Sequence, residues 1–167
     1  EINEGDWSSD VCSSDLAEIM MERGFELMEK IFCGDSLLSI IIRSDFHDSG
    51  IHFFTQPDFS QQLAYMHHPA GKNIEPHVHN PVPRQVHYTQ EVLFIRKGRL
   101  RVDFYDEKRE YLESRELRSG DVILLISGGH GFEVLEEVEM IEVKQGPYVG
   151  EGDKTRFEGI AAHQATT

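Results

Sequence analysis

The chain has 167 residues, 39% of them apolar, and a formal net charge of −14. This size suits one domain with its own core, and the charge argues against nucleic acid or an anionic membrane as partner, since no basic run offsets it. A small molecule or another protein is the expected partner.

Two cysteines, Cys12 and Cys33, are too few for a disulfide framework and fit a reducing, cytoplasmic setting. No apolar run reaches the ~18–20 residues of a membrane span, and no basic-then-apolar signal segment opens the chain. The stretch DWSSDVCSSDL at 6–16 resembles a translated sequencing-adapter oligonucleotide, so residues 1–16 are set aside as a non-native tail. The expected division is that tail, a single domain over 17–150 and a C-terminal tail over 151–167.

Residues 17–32 mix helical and strand spacing and read as a short helix or irregular start followed by a strand. Strand signals then recur about every ten residues between Gly, Pro and Asp turns. They are LLSIIIR (37–43), IHFFT (51–55), QLAYMHH (62–68), EVLFIRKGRLRVDFY (91–105), YLESREL (111–117), DVILLIS (121–127) and FEVLEEVEMIEVKQ (132–145). The fourth reads as a hairpin about Lys97-Gly98, and the last as one or two strands bent near Glu136-Glu137. No long amphipathic helix interrupts them. Short β-branched and aromatic runs at this spacing predict an all-β sandwich or barrel.

Between the third and fourth runs lies IEPHVHNPVPRQVHYTQE (74–91). Residues i and i+2 of a strand share a face, about 6.6 Å apart. His77 and His79 can therefore converge on one ion at about 2.0–2.1 Å; the alternative is a surface pair. Glu91 shares a face of the expected hairpin with Leu93, Ile95, Leu100, Val102 and Phe104. A carboxylate on so apolar a face needs a cation or hydrogen-bond donors, unless it reaches water at the strand end. His130, in SGGHGF, has glycine on both sides, which leaves its ring room to point inward; alone it would be a turn histidine.

In combination these residues resemble the cupin superfamily, small β-barrels with a metal at the barrel centre. Gly71, five residues, His77-x-His79, then Glu91, six residues and Gly98 follow its first motif, except that eleven residues separate His79 from Glu91. Gly120-Asp121, Gly128 and His130 follow the second, with Ile126 where proline is usual, His130 one residue early and Val134 in place of the closing asparagine. A looser resemblance is to cupins of bacterial surface-polysaccharide synthesis. The resemblance implies a jelly-roll barrel, a homodimer, and a divalent metal held by His77, His79, Glu91 and His130, with His87 as the alternate to Glu91.

Nitrogen and oxygen ligands without thiolate suit iron(II) or manganese first, then zinc or nickel. Open positions on such an ion would take paired oxygens of a small polar molecule, with a sugar or sugar nucleotide as the implied class. The expected chemistry is isomerisation, epimerisation or oxygenation, with a non-catalytic binding module or a vestigial site as alternatives. Tyr65, His87 and Glu142 are the candidate general bases. Arg84 and Gln85 are candidates to hold an anionic group of the substrate, against a reading as solvated loop.

Overall fold

A computed structural model describes residues 27–166. The adapter-like stretch and the helix-or-irregular start up to residue 26 lie outside the described residues. Eight strands follow: β1 (Met28–Cys33), β2 (Ser36–Ile42), β3 (Gly50–Phe53), β4 (Ala64–His67), β5 (Glu91–Tyr105), β6 (Tyr111–Arg118), β7 (Val122–Leu125) and β8 (Gly129–Lys144). Two 3₁₀ turns, Gly150–Asp153 and Ala162–Gln164, break the C-terminal stretch. No helix among the described residues is long and apolar enough to cross a membrane.

The all-β expectation holds. Six strands form one antiparallel sheet in the order β1-β2-β7-β5-β6, with β8 pairing β5, while β3 and β4 make a separate two-stranded ribbon. The large sheet curls into a half-barrel; the described strands do not close a full barrel. Its concave face buries Leu38, Ile41, Leu93, Ile95, Leu100, Val102, Phe104, Leu117, Ile123 and Leu125 in one cluster. On the convex face Ile40, Leu124 and Ile126 pack with Phe54, Phe59, Leu63 and Val92. Strands β2 and β7 are thus covered on both sides, which is why they read as unbroken apolar runs rather than alternating ones. Each such side chain stabilises the fold by about 1.5–3 kcal/mol when fully buried.

The hairpin expected about Lys97-Gly98 does not form. Residues 91–105 run on as one strand, and β8 pairs both halves, from Glu91↔Lys144 to Tyr105↔Gly129. At Gly98 the ribbon bends instead, with φ of 81° and register shifts on both sides of Arg99. The shift exchanges odd for even positions, so Leu93 and Ile95 share the concave cluster with Leu100, Val102 and Phe104. The single inward face expected of the hairpin therefore exists, produced by a bulge rather than a turn. Of the one or two strands expected over 132–145 there is one, β8, which ends at Lys144 and has its register irregular about Glu136–Glu139.

The turn between β6 and β7 is held by Asp121, which is fully buried. Its carboxylate accepts hydrogen bonds from the backbone N–H of Ser44 and Arg118 and from Arg43, at 2.8–3.0 Å. Three donors and one paired charge are what make a carboxylate tolerable there.

Candidate functional site

Cross-strand partners in an antiparallel pair project to the same face. Glu91 pairs with Leu125 and Lys144, and His130 pairs with Phe104, so Glu91, His130 and Lys144 all point to the concave side. The bend at Gly98 brings the two ends of the β5–β8 ribbon together. Glu91 Oε2 lies 3.3 Å from His130 Nε2 and Glu91 Oε1 lies 3.6 Å from Lys144 Nζ, which in turn sits 2.8 Å from Glu142 Oε1. Upstream, the Gln90 backbone N–H donates to the Gln145 side chain at 2.7 Å and fixes the point where β5 starts. Beside His130, a Cβ on Gly129 would stand 3.0 Å from the Phe157 ring and 3.1 Å from Tyr105, whereas one on Gly131 would meet only ordinary contact at 3.7 Å.

The hydrogen bond with His130 is the largest influence on the Glu91 carboxyl. Together with the charges of His130, Lys144 and Lys154 it outweighs burial and holds the group below the usual carboxylate range. Glu91 is therefore ionised at neutral pH, the form a cation requires.

This pair opens onto a cleft of about 970 Å³ that also takes in Tyr88, Arg101, Asp103, Tyr105, Lys154 and Phe157. Arg101 and Asp103, both nearly buried, are joined by two hydrogen bonds of 2.7 and 3.0 Å. Ser114 donates to the same carboxylate at 2.6 Å, and Arg101 also meets Glu133 at 2.6 Å. These groups were missed in the sequence. The signal was there, two charges at i and i+2 inside LRVDFY, and such alternation reads equally well as a solvated face.

His77 and His79 stand together, ring centroids 5.3 Å apart and nearly perpendicular. They lie in an exposed connecting segment, 68–90, with His77 Nδ1 3.0 Å from the Glu75 carbonyl. Among the described residues no group of three or more His, Cys, Asp or Glu assembles as a metal cage. The four expected ligands thus form two pairs, one on the concave face and one on the segment that leads into it. Arg84, Gln85 and His87 are exposed on the same segment and do not line the cleft. Tyr65 packs edge-on against Phe46 at 5.0 Å, in the β3–β4 ribbon, and does not line it either. Of the three candidate bases, only Glu142 adjoins the Glu91 cluster, through Lys144.

The spacing of the concave pair is that of a direct ion pair and is also compatible with two donors on one ion. Two donors at 2.0–2.2 Å from one first-row ion, about 90–110° apart, are separated by about 3.0–3.4 Å, and Glu91 and His130 stand at 3.3 Å. Comparison with family models, curated proteins and solved structures gives no match.

Proposed function

We propose that the chain is a cupin-type jelly-roll domain that binds one divalent metal and acts on a small polar molecule, with a sugar or sugar nucleotide as the substrate class. The convergence of Glu91 and His130 at 3.3 Å, in the lining of a cleft, is the observation that supports it. His77, His79, Glu91 and His130 are the proposed ligands, for iron(II) or manganese before zinc or nickel. A metal held there would supply Lewis acidity toward paired substrate oxygens, or a place for O₂ beside them.

The protein's own groups have separable tasks. Glu91, kept ionised by its neighbours, offers a charged oxygen. Lys144 and Glu142 adjoin Glu91 just outside the cleft lining; Lys144 is the candidate donor to a substrate oxygen, and Glu142 the candidate to take a proton from carbon α to a carbonyl, as isomerisation or epimerisation requires. The apolar convex strip of Val92 and Phe94 supports a homodimer.

A second reading rests on Lys144. Its ammonium already stands 3.6 Å from Glu91, so the carboxylate has a resident cation and the cleft would bind ligand without turnover or metal. Elemental analysis separates the two. After incubation with iron(II), manganese, zinc or nickel and gel filtration, the first reading expects about one metal per chain. His77→Ala and Glu91→Ala should each lower retention at least tenfold. Equal metal in all three proteins, or none in the parent, rejects the first reading.

A further inference from the structure

The two ligand pairs lie apart in one chain, and the pattern of the segment between them indicates how they meet. Through 74–95 the polar side chains fall mostly at odd positions, Glu75, His77, His79, Gln85, His87, Thr89 and Glu91, with Leu93 and Ile95 following in the concave core. Even positions are mostly apolar, Ile74, Val78, Val82, Val86, Tyr88, Val92 and Phe94, with Pro76, Asn80, Arg84 and Gln90 as the exceptions. This is the period-two alternation of a half-buried strand, yet the segment is unpaired and Val78 is 86% exposed. Pro81 and Pro83 are both odd. As an edge strand beginning at His77 the segment would turn those two nitrogens to solvent and direct its even N–H groups to a neighbour, an arrangement proline permits; Pro76, at an even position, has no N–H to give and marks where such a strand begins.

Among the described residues a matching edge is open: strand β8 (16 residues) pairs only with β5. Exposed on its convex face are Ile141 and Val143, opposite Phe94 and Val92. Its concave face carries His130, Glu142 and Lys144.

Direction excludes the chain's own segment. Residues 74–90 run toward Glu91, and β8 runs toward Lys144, which faces Glu91. Laid on its own β8, the segment would be parallel to it, in a sheet whose every pairing is antiparallel, and would cross the end of β8 to re-enter as β5. A second copy meets neither constraint. Charge does not oppose it: residues 74–90 balance Arg84 against Glu75 and add three histidines, while β8 carries five glutamates against Lys144. Lys97, Arg99 and Arg101 meet three of those glutamates, and Glu139 has no ionic partner among the described residues.

We infer that two copies exchange this segment. Residues 77–88 of one add antiparallel to the open edge of β8 of the other, and deliver His77 and His79 to the other copy's Glu91 and His130. Val78, Val82 and Val86 then extend the convex strip of Phe94, Ile141 and Val143. The inference rests on the metal-site reading, which it deepens: each site is shared between two chains.

The test is a purified heterodimer. One tagged chain carries His77→Ala and His79→Ala, and a second, with a different tag, carries Glu91→Gln and His130→Gln; both are co-expressed and isolated by tandem affinity. Zn(II) is the probe, and bound metal is measured after gel filtration. The expected result is two metals per parent dimer, one per heterodimer, and none in either variant alone. A heterodimer without metal beside a parent dimer with two overturns the exchange and leaves the metal site standing. A parent without metal overturns both. Sedimentation velocity gives a reading independent of metal: the parent should run as two chains and Val78→Asp/Val82→Asp as one, whereas a monomeric parent overturns the exchange.

Discussion

At the scale of single residues, the Arg101–Asp103 pair decides more than any other group in the cleft wall. Burial pushes the Asp103 carboxyl up, but the hydrogen bonds from Arg101 and Ser114 outweigh it and hold the group below the usual carboxylate range. A carboxyl lowered on folding binds fewer protons in the folded than in the unfolded chain between its two pKa values. Its stabilisation is therefore full above the unfolded value, about 3.9, and fades as pH falls through the folded one. Asp103→Ala should cost about 3 kcal/mol at pH 7, because it leaves a buried guanidinium short of a partner. In urea titrations from pH 7 to 2 that loss should shrink as the parent's carboxyl protonates. The double change Arg101→Leu/Asp103→Leu should recover most of it, since no charge is then left buried. Equal destabilisation by single and double variants would mean that the pair is not coupled. Glu91 was legible in the sequence because a lone carboxylate stood on an apolar face. Asp103 was not, because its partner two residues away made the pair look like ordinary solvent-facing alternation.

At the scale of elements, the bend in β5 rests on one glycine. Gly98 has φ of +81°, and a Cβ there would stand 2.0 Å from the Glu137 carbonyl oxygen and 2.7 Å from its carbon. Gly71 has φ of +83° with nothing within 4 Å. Both positions penalise an L side chain through backbone conformation, but only Gly98 adds a collision with the paired strand. Gly71→Ala should therefore cost about 1 kcal/mol, and Gly98→Ala at least about 3 kcal/mol, read from denaturation midpoints. Gly98→Ala should also lower metal retention, because the bend is what brings His130 to Glu91. If the two variants lose equal stability, the close approach of β8 at Gly98 is wrong. The strands themselves were readable from apolar runs and turn residues. What escaped was the difference between a hairpin and a kinked ribbon. Lys97-Gly98 has the composition of a two-residue turn, and only the long-range pairing with β8, whose partner residues lie more than twenty positions away, selects the bulge. The same non-locality hid the placement of His77 and His79: local spacing put them on one face, but no strand among the described residues pairs with their segment, which lies exposed.

At the scale of the molecule, the proposed dimer would bring together two chains of formal charge −14 through an apolar strip, against their own field. Phe94, Ile141 and Val143 lie exposed side by side on the convex face, and burying them is worth about 25 cal/mol per Å² of apolar surface. Two like-charged copies oppose that gain through repulsion whose range is set by salt, a Debye length near 30 Å at 0.01 M and 10 Å at 0.1 M. Self-association should therefore tighten with ionic strength, by roughly tenfold or more between 10 and 200 mM NaCl, about 1.4 kcal/mol, when followed by sedimentation equilibrium. The sign separates two origins of a dimer. Contacts made chiefly of cross-chain ion pairs would weaken over the same range, whereas an apolar strip against net repulsion strengthens. Phe94→Glu should abolish the dimer at both salt concentrations, because it removes apolar surface and adds charge at the point of contact, and it should leave the monomer's stability nearly unchanged since the residue is already 41% exposed. A Phe94→Glu protein that remains dimeric would show that the convex face is solvent in the assembled molecule, and the apolar alternation from Ile74 to Phe94 would then need a different cover.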